Sequence, residues 1–174
     1  SHSLGLSKTS GRFNFAVSED LSDTDFNSND LGYFTYNNYF DHSLWLGYKW
    51  VKPANWYNNV YLNFNVFYSR QLKPAMYRAA NVNLNANAQW KNLCNTGLLI
   101  GYEPKYNDPF EPRVAGRIFK GWSDWFVDGW FQSNQTKKFW VYEDLMFIKR
   151  SLFGSLRFVV NLQENYRFND KYSI

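Results

Sequence analysis

Between Asn81 and Trp90 the chain alternates without a break. Asn81, Asn83, Asn85, Asn87 and Gln89 fall on one side, and Val82, Leu84, Ala86, Ala88 and Trp90 on the other. A period of two residues marks a β-strand with unlike faces. Asparagine is a poor strand former, so such a strand must hold its amide face against water or polar partners and its aliphatic face against something apolar. The same two-sidedness recurs at 44–50, where Leu44, Leu46, Tyr48 and Trp50 alternate with Trp45, Gly47 and Lys49. It recurs at 60–68 (Val60, Leu62, Phe64, Val66 and Tyr68 against Tyr61, Asn63, Asn65 and Phe67) and at 156–163 (Leu156, Phe158, Val160 and Leu162 against Arg157, Val159, Asn161 and Gln163). No helical period of 3.6 is sustained anywhere.

Continued along the chain, this pattern predicts strands at 2–9, 11–18, 35–50, 57–71, 80–90, 95–103, 122–132, 138–147 and 155–168, with a tenth beginning at 171. The segments 122–132 and 138–147 carry rings on both faces (Trp125, Phe126, Trp130, Phe131, Trp140 and Tyr142). Short links at 10–11, 52–55, 91–93, 134–136 and 169–170 are expected to alternate strictly with longer ones at 19–34, 72–79, 104–121 and 148–154. Sequential antiparallel strands with short turns at one end and long loops at the other describe an outer-membrane barrel.

Composition removes the other broad classes. With 174 residues the chain has the length of one domain. Ten Gly and five Pro exclude collagen-like and low-complexity sequence, and 21% aromatic residues exclude disorder. Apolar runs such as 98–100 and 158–160 fall far short of the ~20 residues of a membrane-spanning helix. The first residues have neither the basic nor the apolar region of a signal peptide. Cys94 is alone, which leaves no disulfide framework and reads as a small, partly buried hydrophobe. The net charge of +4 forms no contiguous basic stripe, which argues against nucleic acid as a partner.

Alternation does not say which face points inward: a soluble barrel turns its apolar face in, an outer-membrane barrel turns it out. Three features favour the second. The strands at 35–50, 57–71 and 155–168 exceed the ~5–6 residues usual in soluble sheets and reach the ~9–11 needed to cross a bilayer on a tilt. The polar face is rich in amides, with Asn63, Asn65, Asn83, Asn85, Asn87 and Asn161 expected to face a wet lumen. Aromatic residues close the apolar stretches at Trp50, Trp56, Tyr57 and Trp90, where Tyr and Trp suit the headgroup level. The expected fold class is therefore all-β: an antiparallel up-and-down transmembrane β-barrel, of which residues 1–174 form a part of about nine to ten strands. The direction of the first and last strands adds the expectation that the chain is an internal part of a larger barrel.

The segments Asp25–Tyr33, Trp45–Lys49 followed by Trp56 and Tyr57, Asp108–Arg113 and Tyr166–Ser173 resemble, in the same order, motifs of an outer-membrane family of Bacteroidota without established function. Its members carry an N-terminal domain similar to carbohydrate-binding module family 9, followed by a large outer-membrane β-barrel. The resemblance runs from about Thr9 onward and covers the middle of the barrel. It implies a bacterial outer-membrane location, a carbohydrate-linked role for the whole protein and, as partners, outer-membrane lipid, the rest of the barrel, the N-terminal module and a larger outer-membrane assembly. It transfers no catalytic residue.

Paired carboxylates are the minimum for acid–base chemistry on sugars. The nearest sequence pairs are Asp124 with Asp128, Glu143 with Asp144 and Asp108 with Glu111, and all read more simply as solvated charge. His2 and His42 are too far apart to suggest a metal pair. No phosphate loop or nucleophile elbow occurs, so no cofactor, metal or catalytic residue is expected. Asn134-Gln135-Thr136 has the form of a glycosylation acceptor but reads as a turn. The best binding candidate is the proline-stiffened loop 104–113, with Tyr106, Asp108, Phe110, Glu111 and Arg113. A loop on a rigid scaffold is where binding usually resides, although an Arg113 pair with Asp108 or Glu111 would equally serve to hold it shut. The expected function is non-enzymatic: surface anchoring, or solute or glycan handling, by an outer-membrane barrel domain. The alternatives are a soluble carbohydrate-binding β-domain and a glycoside-processing enzyme using Asp124, Asp128 or Glu143.

Overall fold

The structure is a computed structural model that describes residues 1–26, 37–114, 116–169, 172 and 174. It contains β1 (His2–Lys8), β2 (Phe13–Ser22), β3 (Tyr39–Trp50), β4 (Tyr57–Gln71), β5 (Met76–Trp90), β6 (Asn95–Glu103), β7 (Asn107–Asp108), β8 (Phe119–Lys120), β9 (Asp124–Gln132), β10 (Phe139–Arg150) and β11 (Leu156–Tyr166). Nine of these form one antiparallel meander in the order β1-β2-β3-β4-β5-β6-β9-β10-β11, while β7 and β8 pair separately inside the β6–β9 connection. Among the described residues there is one 3-10 turn, at 152–154, and no helix long and apolar enough to cross a membrane. Among the described strands the sheet is open: β1 pairs with no strand but β2, and β11 with no strand but β10. Beyond β11, Ile174 exchanges both backbone hydrogen bonds with Tyr166 (2.8 and 3.0 Å); Lys171 and Ser173 of the tenth strand expected from 171 lie outside the described residues.

The strand content agrees with the sequence reading, but the strict alternation of short and long links does not. β5 begins at Met76, so only 72–75 separate it from β4, and β10 continues to Arg150, so only 151–155 precede β11. Two connections remain long, 23–38 and 104–123. The reason at 76–79 is a shift in register between Ser69 and Arg70: Ser69 pairs with Ala79, but Arg70 pairs with Tyr77. A bulge inserts one residue and breaks the period of two, which hides strand from periodicity. β2 likewise runs to Ser22 rather than 18, continuing a face of Ser18, Asp20 and Ser22. Residues 27–36, which include half of the expected 19–34 loop and the expected start of the third strand, lie outside the described residues.

Register assigns the paired strand residues to faces. One face carries Asn14, Ala16 and Ser18 of β2, Ser43, Trp45 and Gly47 of β3, Asn63 and Asn65 of β4, Asn83 and Asn85 of β5, Gly97 and Leu99 of β6, Asp128 and Trp130 of β9, and Asp144 of β10 with its partner Asn161 of β11. The opposite face carries Leu4, Val17, Leu44, Phe64, Leu84, Ile100, Val127, Leu145 and Val160 at mid-strand. A further register shift between Tyr57 and Asn59 sets Tyr57 opposite Trp90, on the apolar side.

Burial then separates the faces. Among the described residues no hydrophobic side chain is buried, whereas the buried polar residues Asn14, Ser22, Ser69 and Asp124 all lie on the amide face. The sheet therefore shelters its amides and presents its aliphatic residues, with Leu84 44% and Phe158 71% exposed. A soluble domain of this length encloses an apolar core; this sheet leaves its apolar face exposed among the described residues.

Candidate functional site

The amide face is wired by one directed chain of hydrogen bonds. Trp45 Nε1 donates to Asn63 Oδ1 (3.1 Å), Asn63 Nδ2 to Asn85 Oδ1 (2.9 Å), Asn85 Nδ2 to Asn83 Oδ1 (3.5 Å), Asn83 Nδ2 to Asn81 Oδ1 (2.8 Å) and Asn81 Nδ2 to Glu103 Oε1 (3.0 Å). Asn65 joins at Asn83 (2.8 Å) and Asn87 at Asn85 (3.5 Å). An indole N–H can only donate and a carboxylate can only accept, so the two ends fix the sense of every amide between them. Aligned bonds of this kind polarise one another in the same direction. Five of the six predicted lumen-facing asparagines thus come together. Asn161 lies on the same face but apart, donating to Asp144 Oδ2 (2.6 Å).

Large rings lie on this face where glycines leave room. A Cβ on Gly97 would overlap the Trp130 indole, one on Gly101 the Phe126 ring and one on Gly47 the Trp45 indole. Gly97 and Trp130 are direct cross-strand partners, as are Gly101 and Phe126. Rings pressed onto neighbouring glycines restore packing that glycine alone lacks.

The loop 104–113 belongs to a strap, residues 104–123, that reaches from β5 to β10. Asn107 Nδ2 donates to the Tyr77 carbonyl (2.9 Å) at one side. At the other, Arg150 grips Asp124 through Nε (3.0 and 3.1 Å) and Nη2 (2.7 Å), and its guanidinium sits 4.8 Å from the Trp122 ring centroid. Tyr106, Phe119 and Trp122 form a cluster with centroids 6.1–6.3 Å apart, and Gly121 lies beneath Tyr106. Asp124 and Arg150 are on the amide face, so the strap is anchored on the sheltered side. Asp108 Oδ1 accepts from the backbone N–H groups of Phe110 (2.8 Å) and Glu111 (3.1 Å). No ion pair among the described residues joins Arg113 to Asp108 or Glu111, and both Arg113 and Glu111 are exposed. Of the five residues predicted for this loop, Tyr106 and Asp108 hold its shape, while Phe110, Glu111 and Arg113 stand at its tip.

The chain matches over residues 1–174 the model of a domain of unknown function (DUF5916). It belongs to that family. No curated protein and no solved structure matches it. For this DUF5916 chain, membership agrees with the sequence resemblance at the level of a family without established function.

The carboxylates pair otherwise than their spacing suggested. Asp124 is bound to Arg150, and Glu143 faces the apolar side opposite Phe131 and Leu162. Asp128 of β9 and Asp144 of β10, 16 positions apart in the sequence, become diagonal neighbours on the amide face, a proximity that only the β9–β10 register creates. The predicted interface aromatics do assemble. The Trp56 ring is 4.7 Å from Tyr57 and 5.4 Å from Trp90, and Trp50 is 4.5 Å from Tyr48, all at the end that carries the short turns. Sequence reading missed a second aromatic row at the other end: Phe40 with His42 (4.2 Å), Tyr68 with Tyr77 (5.9 Å) and Tyr102 with Trp125 (4.4 Å). Asn134 closes its own turn, accepting from Thr136 N (2.8 Å) and Oγ1 (2.7 Å).

Proposed function

We propose that this chain is part of the wall of a transmembrane β-barrel in a bacterial outer membrane, with its aliphatic face to lipid and its amide face to a polar lumen. The observation that carries the reading is the inverted burial: aliphatic residues outside, hydrogen-bonded amides inside. Aromatic rows border the aliphatic band at both ends, as in outer-membrane barrels. From Phe40 to Trp50, ten residue steps at ~3.4 Å each and a tilt of ~40° project to roughly 25 Å, the height of such a band. The charges on the apolar side (Lys8, Glu19 with His2, Arg70, Glu143, Lys149 and Glu164) stand within four residues of a strand end, near headgroup depth.

In hydrocarbon an unpaired backbone N–H or C=O costs several kcal/mol, so a sheet in lipid must close. β1 and β11 run in the same direction in this nine-stranded meander, so closure with antiparallel neighbours throughout takes an odd number of further strands. The role is non-enzymatic: surface anchoring, or passage or handling of solutes or glycans. The family resemblance supports coupling to an N-terminal carbohydrate-binding-like module and a Bacteroidota source.

The test is extraction of the full-length protein from membranes. Retention through a carbonate wash, together with a gel mobility that changes on boiling, is the expected result. Release by carbonate with no change on boiling refutes the reading.

A further inference from the structure

We propose that the short-turn end of the sheet is a binding surface for anionic phospholipid headgroups, an inference that rests on the barrel reading above. The four turns at that end and the described residues after β11 contain six cations (Arg12, Lys52, Lys91, Lys137, Lys138 and Arg167) and no acid. Asp170 and Lys171 lie outside the described residues. In the sequence these charges are spread one or two per turn, and only the meander collects them. The connections at the other end, by contrast, carry five cations and four acids among the described residues.

The fold does not consume these charges. None of the six is in an ion pair among the described residues. Arg167 donates to the Thr136 carbonyl (3.2 Å), and the other five are exposed at the turns with no acid beside them in the turn. Glu143 and Glu164, the acids nearest this end of the strands among the described residues, sit on the strands themselves. A surplus of unopposed cations raises the self-energy of a rim unless an anionic layer lies against it.

Rings at the same rim identify that layer. Trp56 is 55% exposed, Phe139 53% and Trp90 37%, each within one to four residues of a rim lysine. An aromatic belt at headgroup depth with cations just beyond it matches an anionic lipid surface, where each Lys or Arg is attracted to the headgroup phosphates and the attraction fades within a Debye length. A soluble acidic polymer would use the cations but leave the rings without a purpose.

The experiment uses full-length protein in phosphatidylcholine vesicles, probed with spin-labelled phosphatidylglycerol and spin-labelled phosphatidylcholine. A several-fold preference of the protein-restricted lipid fraction for phosphatidylglycerol is expected at low salt, collapsing at high salt. The combined variant Lys52→Gln, Lys91→Gln, Lys137→Gln and Lys138→Gln should lose the preference while still restricting phosphatidylcholine, which shows that it remains inserted. Equal restriction of the two lipids at low salt overturns the proposal, as does a preference that survives in the variant. Loss of preference in inorganic phosphate but not in chloride of equal ionic strength also overturns it, because the surface is then a site for the free ion. Failure of the barrel reading looks different: neither lipid is restricted at all, and carbonate releases the protein.

Discussion

Arginine at position 84 separates an aliphatic face in lipid from one in water. Leu84 stands near the middle of β5, six residues from Trp90 and seven from Tyr77, and is 44% exposed between its partners Phe64 and Ile100. If the exposed part met water, Leu84→Arg would lay its aliphatic stem on those neighbours and release its guanidinium to solvent, changing stability by about 0.5 kcal/mol or less. In a bilayer the same guanidinium lies at about 16 Å along the normal from the Trp90 belt, by the strand rise and tilt used above, and the expected loss is about 2–4 kcal/mol. Ala86→Arg and Ala88→Arg provide the gradient. Ala88 is two residues from Trp90, about 5 Å in depth, and its substitution should cost about 0–1 kcal/mol, whereas Ala86, about 10 Å deep and as near the middle of the band as Leu84, should cost about as much as Leu84. The assay is reversible denaturant unfolding of the full-length protein in vesicles, followed by tryptophan fluorescence. A flat series, or three values all below about 0.5 kcal/mol, would refute the placement of this band in hydrocarbon.

Two further outcomes follow from named contacts. Gly97→Ala must displace the Trp130 indole and should destabilise by about 1–3 kcal/mol as an overpacked site, with a shift in tryptophan emission; Gly129→Ala, where a Cβ meets nothing within 4 Å, should unfold within about 0.5 kcal/mol of the parent. Asp124→Asn removes the charge and one of the two oxygens that hold Arg150, leaving a single neutral amide oxygen to accept from it, so proteolytic cleavage within 104–118 should accelerate several-fold with the strands intact; an unchanged cleavage rate would mean that the strap is held elsewhere.

How far the sequence reveals this molecule depends on whether a feature is local. The alternation of Val60–Tyr68 and Asn81–Trp90 is a property of consecutive residues, and β4 and most of β5 follow it directly. Met76–Ala79 escapes because the bulge opposite Ser69 and Arg70 shifts the period, and with it fails the expected long link at 72–79. That Asn63, Asn65, Asn83, Asn85 and Asn87 share one face is readable from spacing; that they form a single chain ending on Glu103 requires the β4–β5 and β5–β6 registers. The same holds for Arg150 with Asp124, 26 positions apart, and for Asp128 with Asp144. The loop 104–113 is visible as a loop from its prolines, but its anchoring by Asn107 and by the ring cluster on Arg150 depends on which strand ends lie beside it.

The fixed sense of the asparagine chain gives the amide face a chemical bias. Each carboxamide has two hydrogens to give and two lone pairs to receive with. Asn83 and Asn85 each accept twice and donate once along the chain, so their oxygens are saturated while one hydrogen on each stays unspent. Toward the space before it, this strip is a row of neutral donors, a surface that welcomes hydroxyl, ether and carbonyl oxygens and offers a bare cation little to hold.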